Sequence, residues 1–466
     1  MKQILTPVAI AACEGVENSR CLLEKKPLQI GLNEPSVASF AEGAWIILDF
    51  GKEMNGGVRI LTDWAEDVKI RIRFGESITE CCAELGGEKN ATNDHAHRDI
   101  TTSLMFYSDV SFANTGYRFI RLDVLKGEGL RIKSILGTNH ILSAKSLWKY
   151  EGDDPEVAAI YETAKRTVDL CSAGDYVWDG VKRDRLVWIG DMHPEMLAIT
   201  AMYGSLGKFE RSLDFVRDQT PLPNWMNRMP AYSMWWTIIV ADYFEKTGKE
   251  AFARRQLPYM KAVLSQMNDC VGEDGELKYP GLFVDWPTRG LPDEEPGVRA
   301  INIVACQKAI AFLEHFGEDA SVAKEMLQKL MKKKIQVKSQ KQVLGLKHWA
   351  VGLDEEDKEK LLAGGAKGMS TFMSYYILKA VASFDKAAAV AMMKEYYGAM
   401  LQKGATTFWE DFEMEWMENT NTLTTFPTEG QKDIHGDFGR FCYQGFRHSF
   451  CHGWSAGVIA FIKEEL

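Results

Sequence analysis

The spacing of the apolar residues changes near residue 150 of this 466-residue chain, and the change limits what the chain can fold into. Before it, short runs rich in β-branched residues, such as Trp45–Phe50 and Val68–Phe74, are typical of strands. After Asp153 the apolar residues recur with a period of about 3.6, which is typical of helices. We therefore expect an α+β protein with an antiparallel β-sandwich over residues 1–147 and a helical domain over residues 148–466.

Two groups of turn residues interrupt the strand region. Gly51–Gly57 contains three glycines and an asparagine, and Asn114–Gly116 separates two further strand patterns, so both are predicted to be turns. Residues 86–99 are polar and glycine-containing, which predicts a long loop. Its His95 and His97 could bind a metal, but no third ligand accompanies them at a useful spacing. A polar loop without a metal is therefore the simpler interpretation.

Helical patterns fill the rest of the chain. Asp154 and Pro155 supply the N-cap and first turn of the first helix. No strand alternation lies between the later helices, so βαβ units are not expected. Antiparallel helix pairs over about 310 residues favour an (α/α)6 toroid whose loops surround a cleft at one end. The eleven patterns cover residues 153–172, 194–205, 207–219, 233–247, 249–270, 297–316, 318–336, 355–363, 370–384, 386–402 and 450–465.

Charge and cysteine usage argue against some partners and favour one compartment. The formal net charge of −10 argues against nucleic acid or an anionic membrane as the main partner. The nine cysteines include the adjacent Cys81 and Cys82 and are otherwise scattered singly, which favours free thiols in a reducing environment. The first residues faintly resemble a lipoprotein leader ending at Cys13, but their apolar run is short and contains Pro7. We therefore expect a cytoplasmic protein.

Charged and aromatic residues concentrate in residues 176–195, which read YVWDGVKRDRLVWIGDMHPE and join two predicted helices. Folding alone gives such a loop no reason to place carboxylates and basic groups beside two tryptophans. Charged groups are stable in a partly dry pocket when they are paired, and loops on a rigid scaffold are where catalytic groups concentrate. The segment therefore predicts a functional site, and the alternative is a solvated loop with surface ion pairs.

Several segments then support a family resemblance. Residues 179–191, DGVKRDRLVWIGD, resemble the DCPxRERxGWxGD motif of α-L-rhamnosidases of the inverting glycoside hydrolase family 78. Residues 407–412 (TFWEDF) are similar to the family's TxWExW segment, and residues 449–457 (SFCHGWSAG) to its SxNHxxxG segment. Residues 45–57 and 68–76 look like the β-sandwich that precedes the catalytic domain in that family. The resemblance implies an N-terminal sandwich and a six-hairpin glycosidase toroid.

The resemblance also implies a chemistry: release of terminal α-L-rhamnose, or a related deoxy sugar, with inversion and without a cofactor. Asp184 falls where the family has its general-acid glutamate, and Glu410 falls on the general base. Asp184 is one methylene shorter than glutamate, and the flanking arginines lower the pKa of a carboxyl group unless burial or other carboxylates raise it. Neighbouring carboxylates compete with Glu410 as the base, namely Asp411, Glu413, Glu415 and Glu418.

The same motifs imply which residues bind the sugar. Asp179, Arg183 and Asp191 are expected to hydrogen-bond its hydroxyls, Trp188 to contact its ring, and His452 to join them from the last motif. Tryptophans outside the motifs have a second interpretation, because Trp235 and Trp236 serve equally well as core residues of a helix. Further expected contacts are Trp236, Asp285 and Trp286, the last two from a loop rich in Pro and Gly.

Two other functions remain open at this point. One keeps the fold but changes the reaction, as in an unsaturated uronyl hydrolase or another (α/α)6 glycosidase. The other is a catalytically silent carbohydrate-binding relative, suggested by the aspartate that replaces the family's glutamate at Asp184. In each case the expected partner is a carbohydrate, with neither nucleic acid nor membrane, and assembly into a homo-oligomer is compatible with the sequence.

Overall fold

The computed structural model describes residues 1–466 and begins with strands. All strand pairings are antiparallel, and the order in the sheet is β1-β7-β3-β6-β4-β5, with β2 added to β3. Every strand lies before residue 141, as the change of period predicts. The seven strands are β1 (Lys2–Leu5), β2 (Ala9–Glu17), β3 (Ala38–Trp64), β4 (Val68–Gly75), β5 (Asp99–Leu104), β6 (Asp109–Lys126) and β7 (Leu130–His140).

Both predicted turns of the strand region are wrong. β3 continues through Gly51–Gly57, and β6 continues through Asn114–Gly116. The two segments pair with each other, Asn55 opposite Gly116, and the β3–β6 register shifts on each side of that pairing. Both long strands therefore pass through this irregular region without reversing direction.

Close approach of other backbone explains the glycines in these strands. A Cβ atom on Gly56 would lie 2.8 Å from the carbonyl carbon of Thr138 on β7. A Cβ atom on Gly116 would lie 2.8 Å from the backbone nitrogen of Lys182, in the helical part of the chain. The glycines leave room for backbone contacts that a larger residue would block.

Twelve α-helices follow the sheet, one more than the sequence predicts. The additional helix is α8, which buries eight of its eleven residues, polar ones among them, and so lacks a clear amphipathic period. The pattern over 450–465 is α-helical only from Val458. The helices are α1 (Pro155–Cys171), α2 (Met192–Tyr203), α3 (Gly207–Gln219), α4 (Pro230–Thr247), α5 (Glu250–Asp269), α6 (Glu294–His315), α7 (Ser321–Leu330), α8 (Lys341–Val351), α9 (Glu355–Leu362), α10 (Ser374–Ala382), α11 (Lys386–Gln402) and α12 (Val458–Glu465).

Six helices contact one another in a closed cycle. Helices α2, α4, α6, α8, α10 and α12 each pack against the next, and α12 returns to α2. Helix α2 has eleven of its twelve residues buried, whereas α7, outside the cycle, buries only four of ten. The helical region has a core of 92 buried apolar residues, and the sheet has a separate core of 24. None of the helices has both the length and the apolar character that crossing a membrane requires.

Candidate active site

A cavity of about 230 Å³ brings most of the predicted site residues together. It is lined mainly by loop segments that lie far apart in sequence. The predicted residues that line it are Asp179, Arg183, Asp184, Trp188, Asp191, Trp286, Glu410 and His452. Six further lining residues were not predicted: Met229, Tyr232, Phe283, Cys442, Arg447 and Trp454.

The backbone places the first and last motifs side by side. Gly180 forms an isolated antiparallel β-bridge with His452, and the Gly453 backbone N–H donates to the Asp179 carbonyl oxygen at 2.6 Å. The loop then turns sharply, because Asp184 and Arg185 both have φ of 54°, in the left-handed region. Such a conformation is uncommon for residues other than glycine and is found frequently at functional sites.

The guanidinium of Arg183 connects the two candidate catalytic carboxylates. Its Nη1 lies 3.0 Å from Oδ1 of Asp184, and its Nη2 forms an ion pair with Oε1 of Glu410. Its Nε donates to the Arg447 carbonyl oxygen at 3.0 Å. The guanidinium is buried, so these contacts fix its orientation.

Glu410 is a buried carboxylate held by several contacts. The Ser449 N–H donates to its Oε2 at 3.2 Å. The backbone carbonyl oxygen of Glu410 accepts hydrogen bonds from Thr371 Oγ1 at 2.6 Å and from Trp454 Nε1 at 2.9 Å. Burial raises the pKa of Glu410, whereas the positive charge of Arg183 and the Ser449 N–H act in the opposite direction.

The imidazole of His452 lies among three carboxylates. Its Nε2 is 3.9 Å from Oδ2 of Asp179, 3.9 Å from Oδ2 of Asp191 and 3.8 Å from Oε1 of Glu410. Burial lowers the pKa of His452 well below its usual value, and Arg183 lowers it further. The ring is therefore neutral near pH 7. Its Nδ1 is buried without a hydrogen-bond partner in the protein.

Asp179 and Asp191 are both buried, and burial raises the pKa of each well above its ordinary value. Nearby carboxylates add to this effect, Asp184 being one of them in both cases. Oδ1 of Asp179 accepts from the Leu186 N–H at 2.9 Å, and Oδ1 of Asp191 accepts from the Tyr232 hydroxyl at 3.1 Å. The remaining carboxyl oxygens can hydrogen-bond a polar ligand.

Asp184 stands closer to solvent than the other carboxylates of the cavity, with a side chain that is 19% exposed. His95, from the polar loop of the strand region, places its Nε2 at 3.3 Å from Oδ1 of Asp184. The sequence pattern suggests only a possible metal-binding role for His95, and the residues around it give no indication of this long-range contact.

Two predicted sugar contacts lie outside the cavity lining. Trp236 is fully buried in α4 and packs edge-to-face against Tyr259, so the structure places it in the helical core. Asp285 is also buried, and it accepts from the Thr288 N–H at 3.0 Å and from Ser370 Oγ at 2.9 Å. Its contacts stabilise the loop that carries Trp286. The α4 residue that reaches the cavity is Tyr232, one helical turn before Trp236.

The carboxylates that rival Glu410 do not line the cavity. Asp411 is buried, and burial raises its pKa to about 7. Glu413 forms an ion pair with Arg440, and the exposed Glu415 lies 3.8 Å from Lys367. Glu418 is exposed. Their positions favour Glu410 for any chemistry inside the cavity.

One buried cluster next to the cavity has the donor types of a metal site. Ligand atoms of Glu76, Glu80 and His435 lie within 4.8 Å of one another. The ammonium of Lys182 is 3.4 Å from Glu76, 2.7 Å from Glu80 and 3.2 Å from Nε2 of His435. Lys182 and the guanidinium of Arg98, which pairs with Glu80, thus already balance the two carboxylates, and the residues present do not fit an additional metal ion.

Comparisons with known proteins agree with the motifs. Residues 147–334 match the family model of the bacterial α-L-rhamnosidase six-hairpin glycosidase domain. A rhamnosidase from Klebsiella oxytoca with rhamnose bound superimposes with a TM-score of 0.74 at 18% identity, over 100% of this chain and 96% of that one. The resemblance predicted from the motifs is confirmed, and no curated protein matches the chain.

Two further solved structures share the fold but are longer. The family 78 rhamnosidase of Bacillus sp. GL1 matches with a TM-score of 0.70 at 18% identity, over 93% of this chain and 47% of that one. The Streptomyces avermitilis α-L-rhamnosidase complexed with L-rhamnose gives 0.65 at 16% identity, over 90% and 42%. The chain thus spans less than half the length of each of these two proteins.

Proposed function

We propose that this chain, whose residues 147–334 form a glycosidase domain of the α-L-rhamnosidase type, hydrolyses terminal α-L-rhamnosides with inversion of configuration. The observation that carries the proposal is the pair Asp184 and Glu410. These carboxylates come from different motifs, contact one guanidinium, and both line the cavity. A related deoxy sugar is the nearest alternative substrate.

Glu410 serves as the general base. It takes a proton from a water molecule as the water oxygen attacks the anomeric carbon, which requires the ionised carboxylate. The ion pair with Arg183 and the Ser449 N–H both favour that form, against the effect of burial. Inverting enzymes need about 6.5–9.5 Å between the two carboxyl groups to accommodate the water.

Asp184 serves as the general acid. Its proton passes to the glycosidic oxygen while the bond from that oxygen to the anomeric carbon breaks, so the aglycone leaves as an alcohol. The partial exposure of Asp184 suits this role, because the leaving group must extend from the cavity toward solvent. Regeneration of the acid requires a proton from solvent, which the same exposure permits.

The rest of the lining suits a single sugar ring. A volume of about 230 Å³ is below the roughly 300–1,000 Å³ of sites for drug-sized ligands. Asp179, Asp191 and the neutral His452 offer hydrogen-bonding groups to hydroxyls. The rings of Trp188 and Trp454 offer apolar surface to a ring face and a methyl group.

We further propose the division into a β-sandwich over residues 1–147 and an (α/α)6 toroid over residues 148–466. The closed cycle of six buried helices supports the toroid. The irregular β3–β6 pairing, at which a long sheet can fold over, supports the sandwich. The scattered free cysteines support a cytoplasmic location, and no cofactor is assigned.

The proposal is tested by product analysis. The protein is incubated with p-nitrophenyl α-L-rhamnoside, with other aryl glycosides and with an unsaturated uronide, and the first-formed anomer is observed by proton NMR. We expect release of rhamnose that first appears as the β-anomer. Retention of the α-configuration, or release from the uronide alone, would contradict the proposal.

A further inference from the structure

We infer that Glu76, which directly follows β4 in the sheet, is a positioning residue for Glu410 and acts through the backbone of Ser449 and Phe450. The inference rests on the proposed function, since it assigns Glu410 the role of base. It also gives the strand region a part in catalysis, although that region contributes none of the residues that line the cavity.

The first step is a chain of hydrogen bonds. Oε2 of Glu76 accepts from the Phe450 N–H at 2.7 Å, and Oε1 lies 3.4 Å from the Ser449 hydroxyl. On the other side of the segment, the Ser449 N–H donates to Oε2 of Glu410 at 3.2 Å. The Ser449 carbonyl oxygen accepts from the Glu410 N–H at 2.9 Å. Glu76 and Glu410 therefore both hold Ser449, and Glu76 also holds the next residue, Phe450.

The second step concerns the cost of burying Glu76. Its side chain is 0% exposed, and burial raises its pKa to about 7 despite the adjacent ammonium of Lys182. A buried ion pair of this kind is frequently no more stabilising than apolar residues of the same volume. The stability of the fold alone therefore does not require a carboxylate at position 76. Its two acceptor oxygens supply what an apolar residue lacks, a fixed partner for the Phe450 N–H.

The third step is the consequence for the base. A hydrogen bond from the Ser449 N–H favours the ionised form of Glu410. When the Phe450 N–H loses its hydrogen bond to Glu76, the hydrogen bond from the Ser449 N–H to Glu410 lengthens. The carboxyl group of Glu410 then holds its proton more tightly. The pKa of Glu410 then rises, and the enzyme needs a higher pH to reach full activity.

The test replaces Glu76 by its near-isostere, Glu76→Gln, which removes the charge and one acceptor oxygen. The matched control is Glu53→Gln, because Glu53 is another buried glutamate of the strand region whose Oε1 has no hydrogen bond. Burial raises the pKa of Glu53 well above its usual value, so glutamine closely mimics its neutral form. The Glu53 side chain makes no hydrogen bond to the 449–450 segment.

For Glu76→Gln on a rhamnoside we expect kcat to fall by about tenfold, with KM changed by no more than about twofold. The acidic limb of the pH profile of kcat/KM is expected to move up by about half a pH unit. Glu53→Gln is expected to keep the wild-type rate and profile. An unshifted limb and an undiminished kcat in Glu76→Gln would overturn the inference, even if the variant melts at a lower temperature.

Amide hydrogen exchange of the intact protein tests the same inference without turnover. We expect the amides of Ser449 and Phe450 to exchange faster in Glu76→Gln than in the wild type, and to be unchanged in Glu53→Gln. If the wild type releases no sugar, the proposed function fails, and exchange alone decides the positioning role. Unchanged exchange at both amides in Glu76→Gln would then overturn it.

Discussion

At the scale of single residues, Arg183 contacts two carboxylates for which opposite proton-transfer roles are proposed. A nearby cation favours the ionised form of a carboxyl group, which a general base needs and a general acid does not. At the enclosed Glu410, burial acts against the ionised form, and the ion pair with Arg183 and the hydrogen bond from the Ser449 N–H both favour it.

Replacement of each carboxylate by its amide tests the two roles. Asp184→Asn is expected to lose about 10²–10⁴ in rate on an alkyl rhamnoside and much less on p-nitrophenyl rhamnoside, whose leaving group needs little protonation. Glu410→Gln is expected to slow both substrates by a similar factor, because water must be activated in either case. Steady-state rates on the two substrates give the comparison. Near-wild-type rates in both variants would move the chemistry to the other carboxylates of the cavity, Asp179 and Asp191.

His452 gives a prediction about pH. Burial lowers its pKa well below the usual value, so the folded protein keeps this imidazole neutral throughout the range where a solvent-exposed histidine titrates. His452→Asn is expected to lower kcat/KM by about 10–100-fold through the loss of a substrate hydrogen bond, without changing the shape of the pH profile. The measurement is kcat/KM against pH for both proteins. Disappearance of one limb in the variant would show that His452 titrates during catalysis.

At the scale of elements, the sequence predicts periodic helices well and close backbone contacts poorly. The order strands-then-helices follows directly from the change of period near residue 150. The predicted turns at Gly51–Gly57 and Asn114–Gly116 fail because glycine has two uses, and a single sequence does not separate a turn from a close approach. Helix α8 is missed because residues buried nearly all round have no amphipathic period.

The site shows the same division. The motif residues of 179–191 line the cavity because a local loop conformation places them there. Tyr232 and His95 reach the site through helix placement and a long-range loop contact, neither of which has a local pattern. Trp236 is predicted as a contact from its indole ring but lies in the helical core, because the direction that a helical residue faces depends on the neighbouring helices.

Gly116 allows a direct test of the close approach between sheet and loop. In Gly116→Ala the new Cβ would meet the backbone nitrogen of Lys182, so the segment leading to Arg183 must shift. We expect a loss of about 1–3 kcal/mol in the free energy of unfolding, measured by urea denaturation, together with reduced activity. Gly281→Ala is the control, since a Cβ there has no neighbour within 4 Å. Equal stability of the two variants would contradict the proposed contact.

At the scale of the whole molecule, the sheet and the helices have separate cores, and the sheet contacts the loop that forms part of the cavity wall. The sheet braces the loop that carries the candidate acid: the Thr115 hydroxyl donates to the Lys182 carbonyl oxygen at 3.2 Å, and Asn55 accepts from Arg185 at 3.2 Å. His95 adds a contact to Asp184 itself. The strand region therefore helps to position the loop that carries Asp184, and the helical region alone would lack these contacts.

The stability of the whole molecule is expected to depend on the proton held by Asp411. Burial raises its pKa to about 7, and the negative charge of Glu410 adds to this effect while Arg440 opposes it. The unfolded chain releases the same proton near its ordinary pKa of about 3.9. Between these values the folded state binds more protons, so this group makes stability fall as the pH rises from about 4 to 7. The Asp411→Asn variant cannot titrate at this position. As the pH rises from about 4 to 8, its free energy of unfolding is therefore expected to increase by up to ~4 kcal/mol relative to that of the wild type.

Urea denaturation of both proteins at about pH 4 and about pH 8 measures this difference. The control is Glu415→Gln, because Glu415 is an exposed carboxylate in the same segment and its charge is well solvated. The difference in the free energy of unfolding between Glu415→Gln and the wild type is expected to be the same at both pH values. The Asp411 side chain packs in the helical core, where Oδ2 has no hydrogen-bond partner, so an amide of the same shape does not disturb an existing contact of that atom. A pH-independent difference for Asp411→Asn would mean that water reaches this carboxylate and keeps it ionised in the folded protein.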